Sequence, residues 1–402
     1  MRILVLSQYF WPESFIINDI VRVLDEQGHQ VVVATGKPNY PDGEVFEGYR
    51  AGGMQREPFL GSIEVVRTPI WPRGRGGAKN LMLNYVSFVL SGILCFPWLL
   101  RQQRFDAILV FAPSPILQAI PAIPLKWLKR AKLALWVQDL WPESLAATGY
   151  VTNRHALTVV GWLVKGIYHC CDTLLVQSRA FFEPVSRYAP AGRIVYFPNS
   201  MDVRAKAVGV PIPVALIDQL ASHFCVLFAG NFGKAQSLNT LLQAAAQLRG
   251  VPEFRLVLVG SGSQLAWVES QLQEQGLENV ILAGRFPMEV MPAIFERAAA
   301  LLVSLTSEEI FAQTIPSKIQ AYLAAGRPIL ASLNGEGARV IQESGAGFVS
   351  PAEQAGPLVE NIRQIMALNV PAREAMGRAG REYFDANFEM NMQVRKLEEI
   401  LS

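Results

Sequence analysis

Short apolar runs recur along this chain, separated by stretches whose apolar residues fall at helical spacing. In the first half the runs are Arg2–Ser7, Gln30–Thr35, Ile63–Thr68, Ala107–Phe111, Lys132–Val137, Asp172–Gln177 and Arg193–Phe197. In the second they are Phe224–Ala229, Arg255–Val259, Val280–Ala283, Ala300–Leu305 and Ile329–Ala331. Strands buried on both faces and separated by helices leave little choice but a mostly parallel sheet with helices on each side. The pattern stops at Pro198-Asn199-Ser200 and restarts at Phe224. The 402 residues exceed one hydrophobic core. The expectation is therefore an α/β chain of two Rossmann-like domains, 1–203 and 204–402, joined near Val208–Ile217 by a Val- and Pro-rich linker. Arg373–Leu401 reads as helix of mixed charge in a packing role, with the last helix able to return to the first domain.

In such sheets ligands bind beyond the carboxyl ends of the strands, so the loops there carry the functional reading. The run Ala300–Leu305 leads to Glu308 and Glu309, and Pro316-Ser317-Lys318 then opens a helix. Proline suits a first turn, and the amides left unpaired there favour an anion, so a phosphate can be held by them and by Lys318. An ordinary strand-helix-strand unit with a solvated lysine is the plainer alternative. The turn from Gly230 through Asn231, Phe232, Gly233, Lys234 and Ala235 to Gln236 offers two glycines for close backbone approach and a lysine for neutralisation. Gly260-Ser261-Gly262-Ser263 is close to a dinucleotide fingerprint, but Leu265 stands at the third glycine position. The next run ends in Gly284-Arg285 with no acid. Nicotinamide is disfavoured, and a nucleotide base or ribose against this loop is expected.

In the first half, Ser7–Ser14 contains no glycine fingerprint; its Phe10, Trp11, Pro12 and Glu13 can line an acceptor cleft or pack at a domain edge. Gln138 and Asp139 end a strand at the same edge of the sheet. Gly36–Gly61 reads as a long irregular acceptor-side loop. Leu81–Leu100 holds no charged residue and is flanked by Arg73, Arg75 and Lys79 before it and Arg101 and Arg104 after it. That length can cross a bilayer. Asn84, Ser87, Ser91 and Pro97 interrupt it, however, and a crossing would leave the two halves of one sheet on opposite sides. A helix lying in the membrane plane against anionic headgroups is favoured over a core helix or a span. Lys126, Lys129, Arg130 and Lys132 around Trp127 and Leu128 read as a second basic and apolar patch. Composition agrees: 51% hydrophobic and 17% charged residues are apolar for a wholly soluble enzyme, while a net charge of +2 gives no reason to expect nucleic acid. The four cysteines form no paired motif and suit the core of a cytoplasmic protein. The chain opens directly on a strand without a leader-like layout, so a cytoplasmic protein, peripheral at the inner face of the membrane, is expected.

Six segments spread in order over nearly the whole chain are similar to one family: Tyr9–Ser14 (YFWPES), Gln138–Ser144 (QDLWPES), Phe197–Ser200 (FPNS), Gly230–Leu238 (GNFGKAQSL), Val259–Ser263 (VGSGS) and Ile315–Leu330 (IPSK…YLAAGRPIL). Together they resemble retaining glycosyltransferases of family 4, in the colanic-acid and O-antigen branch near the N-acetyl-L-fucosaminyl transferases. The resemblance implies the GT-B fold, two Rossmann-like domains facing across a cleft. It implies a nucleotide-sugar donor, UDP favoured, bound by the second domain. The acceptor would be a lipid-linked saccharide in surface polysaccharide biosynthesis (O-antigen, capsule or exopolysaccharide). It places the diphosphate on Gly230, Asn231, Gly233, Lys234, Gln236, Ser317 and Lys318, the base near Gly260, Gly262 and Arg285, and the acceptor near Phe10, Trp11, Pro12, Glu13 and Gln138. Glu308, Glu309, Asp139 and Lys234 are the candidate catalytic residues, with neither metal nor cofactor required. The chain departs from the family where Asn231 and Gln236 replace an Arg and a Lys, where Gln313 and Ala321 replace a glutamate pair, and where Gln138 replaces a His. Two other readings stay open: a sugar-nucleotide 2-epimerase on the same fold, and a non-catalytic membrane-associated partner of a polysaccharide assembly complex.

Overall fold

The computed structural model describes residues 1–74, 77–147, 153–203 and 211–402. Arg75 of the basic flank and positions 208–210 of the expected linker lie outside them. The chain divides into two compact units, Met1–Ser200 together with Met390–Ser402, and Met201–Glu389.

The first unit is built on eight strands: β1 (Arg2–Leu6), β2 (Gln30–Thr35), β3 (Gln55–Phe59), β4 (Ile63–Arg67), β5 (Ala107–Ala112), β6 (Lys132–Val137), β7 (Thr173–Val176) and β8 (Ile194–Tyr196). Their order is β3-β4-β2-β1-β5-β6-β7-β8, all parallel except β3, which runs antiparallel to β4. Successive strand residues point to opposite faces, so each apolar run feeds two cores. On one face α1 (Ile16–Glu26) and the C-terminal helix Met390–Leu401 pack Ile17, Leu24, Val394 and Leu397 with Val33 and Leu109. On the other, α2 (Ala78–Leu99), α3 (Ala122–Lys129) and α4 (Arg154–Cys170) pack Phe88, Phe96, Leu125, Val164 and Tyr168 with Leu6, Val110 and Leu135.

The uncharged segment is therefore a helix laid along the sheet. One side of α2 is core; the other leaves Met82, Val86, Leu90, Leu94 and Trp98 exposed at every fourth position. Two lysines of the expected second basic patch are internal ties. Lys126 Nζ donates to the Cys170 carbonyl (2.9 Å) and to Asp172 (2.7 Å), and Lys129 Nζ to the carbonyls of Leu100 (2.5 Å) and Gln103 (2.8 Å). They join α3 to the carboxyl ends of α4 and α2, where unpaired carbonyls need donors.

The second unit has six parallel strands: β9 (Phe224–Asn231), β10 (Phe254–Ser261), β11 (Val280–Gly284), β12 (Ala300–Ser304), β13 (Ile329–Ser332) and β14 (Gly347–Ser350), in the order β11-β10-β9-β12-β13-β14. Helices α5 (Leu238–Gln247) and α6 (Leu265–Gln275) cover one face through Leu241, Leu242 and Val268, against Val226 and Leu258. Helices α7 (Ser317–Ala324) and α8 (Val370–Asn387) cover the other through Ile319, Leu323 and Phe384, against Leu227 and Leu301. Two strands were not expected. β3 lies inside the segment read as irregular, and β14 closes the second sheet.

Candidate active site

In the second unit the carboxyl end of β9 is fixed from α7. The Ala229 N–H donates to the Tyr322 hydroxyl (3.0 Å), a bond that begins where pairing with β12 has ended. Gly230 follows with φ +145°, and a Cβ placed on it would lie 2.4 Å from Lys318 Cε and 2.6 Å from Nζ. The lysine thus runs through the space a side chain at 230 would fill. It ends with Nζ donating to Gln236 Oε1 and 4.0 Å from the centroid of the Phe228 ring. Neither partner is an anion, and burial pushes the Lys318 amine down to about 7. Lys318 also stands in the first turn of α7, whose N-cap, Pro316, supplies no side-chain hydrogen bond. A mostly buried cation with neutral partners, at the first turn of a helix, is the kind of arrangement that suits an anion.

The glycines of the second loop also have a packing role. Gly260 and Gly262 sit in the extension of β10 beside β9, with Phe232 N–H donating to the Ser261 carbonyl (2.8 Å) and Gln264 N–H to the Phe232 carbonyl (2.8 Å). A Cβ on Gly260 would come within 1.9 Å of the Gly230 oxygen, and one on Gly262 within 2.5 Å of Asn231 Oδ1. They allow two loops to run side by side, and Asn231 lies between them. Its Nδ2 would be 2.9 Å from a Cβ on Gly233.

Lys234 lines a cavity of about 340 Å³ with Ser237, Thr240, Gln243, Trp267 and Glu353; Lys318 is not part of that lining. Two non-glycine residues of this wall, Ser237 and Glu353, are left-handed, with φ +46° and +61°. The Glu353 carboxylate accepts from Ser307 N–H (3.2 Å), and Thr306 N–H donates to the Ala235 carbonyl (2.9 Å), so the loops after β9, β12 and β14 are tied together. Glu308 and Glu309 are exposed after β12, Ser317 is exposed at the start of α7, and Arg285 is exposed just past β11.

In the first unit the loop after β1 has a satisfied interior. Phe10 is core. Glu13, 2% exposed, accepts from the amides of Phe10 (3.1 Å), Asn39 (2.8 Å) and Tyr40 (2.8 Å), and burial pushes its carboxyl up to about 7. It pins the Asn39–Tyr40 loop to the β1 loop. Phe10 and Glu13 are thus withdrawn from the acceptor surface for which they were candidates, because the chain folds over them. Trp11, 40% exposed, and Pro12 after it remain at the surface side of that loop. Arg67 is wholly buried, donating to Glu57 (2.5 Å), to the Gly36 carbonyl (2.9 Å) and to the Trp11 carbonyl. Arg73 lies over the rings of Tyr40 (5.2 Å) and Tyr9 (5.8 Å). At the end of β6, Asp139 accepts from Trp141 Nε1 (3.1 Å), and the Gln138 carbonyl accepts from Gln177 Nε2 (2.6 Å). Among the described residues no three His, Cys, Asp or Glu side chains are grouped as a metal site.

Residues 15–200 match the glycosyl transferase 4-like domain and residues 221–383 the glycosyl transferases group 1 domain. The chain carries the two domains of a GT-B glycosyltransferase. It is 26% identical over 393 residues to WcaI of Escherichia coli (strain K12), named as a putative colanic acid biosynthesis glycosyl transferase, with 93% of this chain and 95% of that protein covered. Among solved structures it is similar to a sucrose-phosphate synthase from Thermosynechococcus elongatus (TM-score 0.71, 19% identity, 99% and 98% of the two chains). It is also similar to a glycosyltransferase from Rickettsia africae ESF-5 (0.68, 14%, 100% and 97%) and to HepE of Anabaena in complex with UDP (0.65, 12%, 100% and 99%).

Within this glycosyltransferase the sequence singled out Lys318, Gly230 and Gln236, and the fold brings the three together. It gave no sign of Trp267 or Glu353, and it marked Tyr322 only as part of a motif and Arg73 only as part of a basic flank. Tyr322 belongs to a helical apolar stripe, and nothing local distinguishes a core tyrosine from one whose hydroxyl holds a strand end. Glu353 owes its place to a left-handed backbone that only the folded loop reveals.

Proposed function

We propose that this glycosyltransferase moves a sugar of the hexosyl or N-acetylhexosaminyl type, such as an N-acetylated 6-deoxyhexosamine, with retention, from a UDP-linked donor to a lipid-linked saccharide in surface polysaccharide biosynthesis. The observation that carries the donor half is Lys318: a mostly buried amine held over Gly230 by Gln236 and Phe228, at the first turn of α7. As the bond from sugar to phosphate breaks, the anomeric carbon becomes cation-like and the diphosphate gains charge. Lys318 and the first amides of α7 supply fixed positive charge where it develops, which is how a site lowers such a barrier with little reorganisation. That charge can be met without a metal ion. The leaving phosphate oxygen, once stabilised, can take the acceptor's proton on the face it leaves, which gives retention. Family membership supports that step more than any distance does. Lys234, on the neighbouring turn, is available to the outer phosphate or the sugar, and Glu308 and Glu309 to the sugar.

The acceptor half rests on the row of exposed apolar residues along α2, which suits a substrate carried by a membrane. The colanic-acid role in the name of the Escherichia coli relative and the UDP in the Anabaena complex agree with both halves. The test is transfer from a panel of UDP- and GDP-sugars to a lipid-diphosphate-linked saccharide, read by product mass and anomeric configuration. Transfer from a UDP-sugar with retention is expected. Inversion, or epimerisation of the free donor without any acceptor, would remove the proposal.

A further inference from the structure

Helices α2, α3 and α4 cover the same face of the first sheet and share one core through Phe96, Leu125 and Val164. Their sides away from that core therefore form one outer layer. Leu94 (76% exposed) and Trp98 on α2, Trp127 (69%) and Leu128 on α3, and Val159 and Trp162 (71%) on α4 all stand out from it. None of the three helices contains an Asp or Glu. Lys126 and Lys129 are spent on internal ties, but Lys79, Arg154 and Lys165 are exposed on these helices, and Arg101 follows α2. Arg101 lies over the Trp98 ring at 4.6 Å. A tryptophan ring with a cation on its face, on helices that carry basic residues and no acid, suits the boundary between headgroups and acyl chains of an anionic bilayer.

We infer that the first domain docks on anionic lipid through this three-helix face, with α2 lying in the plane of the membrane and α4 as a second point of insertion. The inference deepens the proposed membrane-borne acceptor and rests on that reading only for its purpose. The chemistry selects lipid over a protein partner: every charged residue of the three helices is basic, and their largest exposed side chains are spread over all three instead of gathered at one spot. α2 does not cross, since Asn84, Phe88 and Phe96 on its inner side are buried in the domain, with Asn84 accepting from Gln8 Nε2 (2.6 Å).

The test is flotation of the full chain with vesicles of phosphatidylcholine, alone or with phosphatidylglycerol. Three double variants carry serine in place of an apolar pair: Leu94→Ser with Trp98→Ser, Trp127→Ser with Leu128→Ser, and Val159→Ser with Trp162→Ser. Val214→Ser with Val370→Ser, two exposed positions of the second unit, is the control. Each of the three pairs is expected to weaken partitioning into the anionic vesicles on the order of tenfold, with the control unchanged. The parent should bind the neutral vesicles more weakly than the anionic ones by on the order of tenfold or more. Circular dichroism melts confirm folding, and a pair that fails to fold is replaced by a single variant of the same helix, Trp98→Gln, Trp127→Gln or Trp162→Gln. Parent-like partitioning of the α4 pair would overturn the three-helix face. So would equal binding to neutral vesicles, or a self-association of the chain that the α4 pair abolishes while vesicle binding is absent. UDP titration of the same proteins keeps the readings apart: loss of UDP binding in the parent would strike the donor proposal and leave this one standing.

Discussion

The loops after β1 and after β9 occupy equivalent places, each following a buried parallel strand at a carboxyl edge, and burial moves Glu13 up to about 7 and Lys318 down to about 7, yet the two groups are partnered differently. In the first unit Glu13 and Arg67 have each found a full set of partners. Glu13 accepts three amides, and Arg67 donates to Glu57 and two carbonyls. In the second, Lys318 has an amide oxygen and an aromatic face. The first arrangement sets the shape of a wall. The second leaves a desolvated cation without an anionic partner, and on the proposed function a bound diphosphate would supply that partner.

The comparison breaks or sharpens through variants placed on either side of it. The largest effect is expected from Arg67→Met. It leaves the half-buried Glu57 carboxylate with hydrogen bonds from Tyr49 and Gln55 and with Lys37 as its nearby cation, and it should cost about 3–5 kcal/mol of stability with UDP affinity retained. Differential scanning calorimetry beside a UDP titration reads both; a stable Arg67→Met protein would mean the wall is not held by charge. Lys318→Met should do the reverse. Melting should be unchanged or raised, since an unfavourable burial is relieved, while UDP binding weakens by about 1.5–3 kcal/mol, on the order of ten- to a hundredfold. Equal affinity in the variant would place the phosphates elsewhere.

A smaller effect is expected at Gly230. Alanine there meets both a left-handed φ of +145° and Lys318 Cε at 2.4 Å, so the lysine must move off Phe228. UDP affinity should drop about tenfold, and stability by about 1–3 kcal/mol. A Gly230→Ala protein that binds UDP as the parent does would show that the passage of the lysine over residue 230 is incidental.

How much of this was legible in the sequence follows from the same contrast. The strands whose residues are apolar on both faces, such as Leu4–Leu6 and Val226–Phe228, announced themselves, and with them the fold. β3 did not, because Gln55-Arg56-Glu57-Pro58-Phe59 is a polar edge strand with a proline, which an irregular loop resembles. Lys318 and Gly230 were legible one at a time, each as a local signal for phosphate. Their contact was not, since it joins the end of β9 to the first turn of α7, far apart in the chain. The interior role of Glu13 was hidden for the same reason: its partners at Asn39 and Tyr40 belong to a loop the sequence marks only as long and Pro-rich. Gly260 and Gly262 show the converse. A glycine pattern read as room for a ligand also makes room for a neighbouring backbone, a packing role that no local signal announced.

The pH dependence of UDP binding tests the central claim most directly. Free Lys318 titrates near 7 where an unfolded lysine titrates at 10.5, so between those values the folded chain holds fewer protons than the unfolded one, and the burden this residue places on stability eases as pH rises. A bound diphosphate favours the charged amine and raises its pKa, so binding takes up a proton. Calorimetric titration of UDP from about pH 6 to about pH 9, in buffers of different ionisation enthalpy, should show affinity falling by up to about tenfold per unit above pH 7, with proton uptake. Both signals should vanish in Lys318→Met. Affinity and proton balance that are the same in parent and variant across that range would contradict the account.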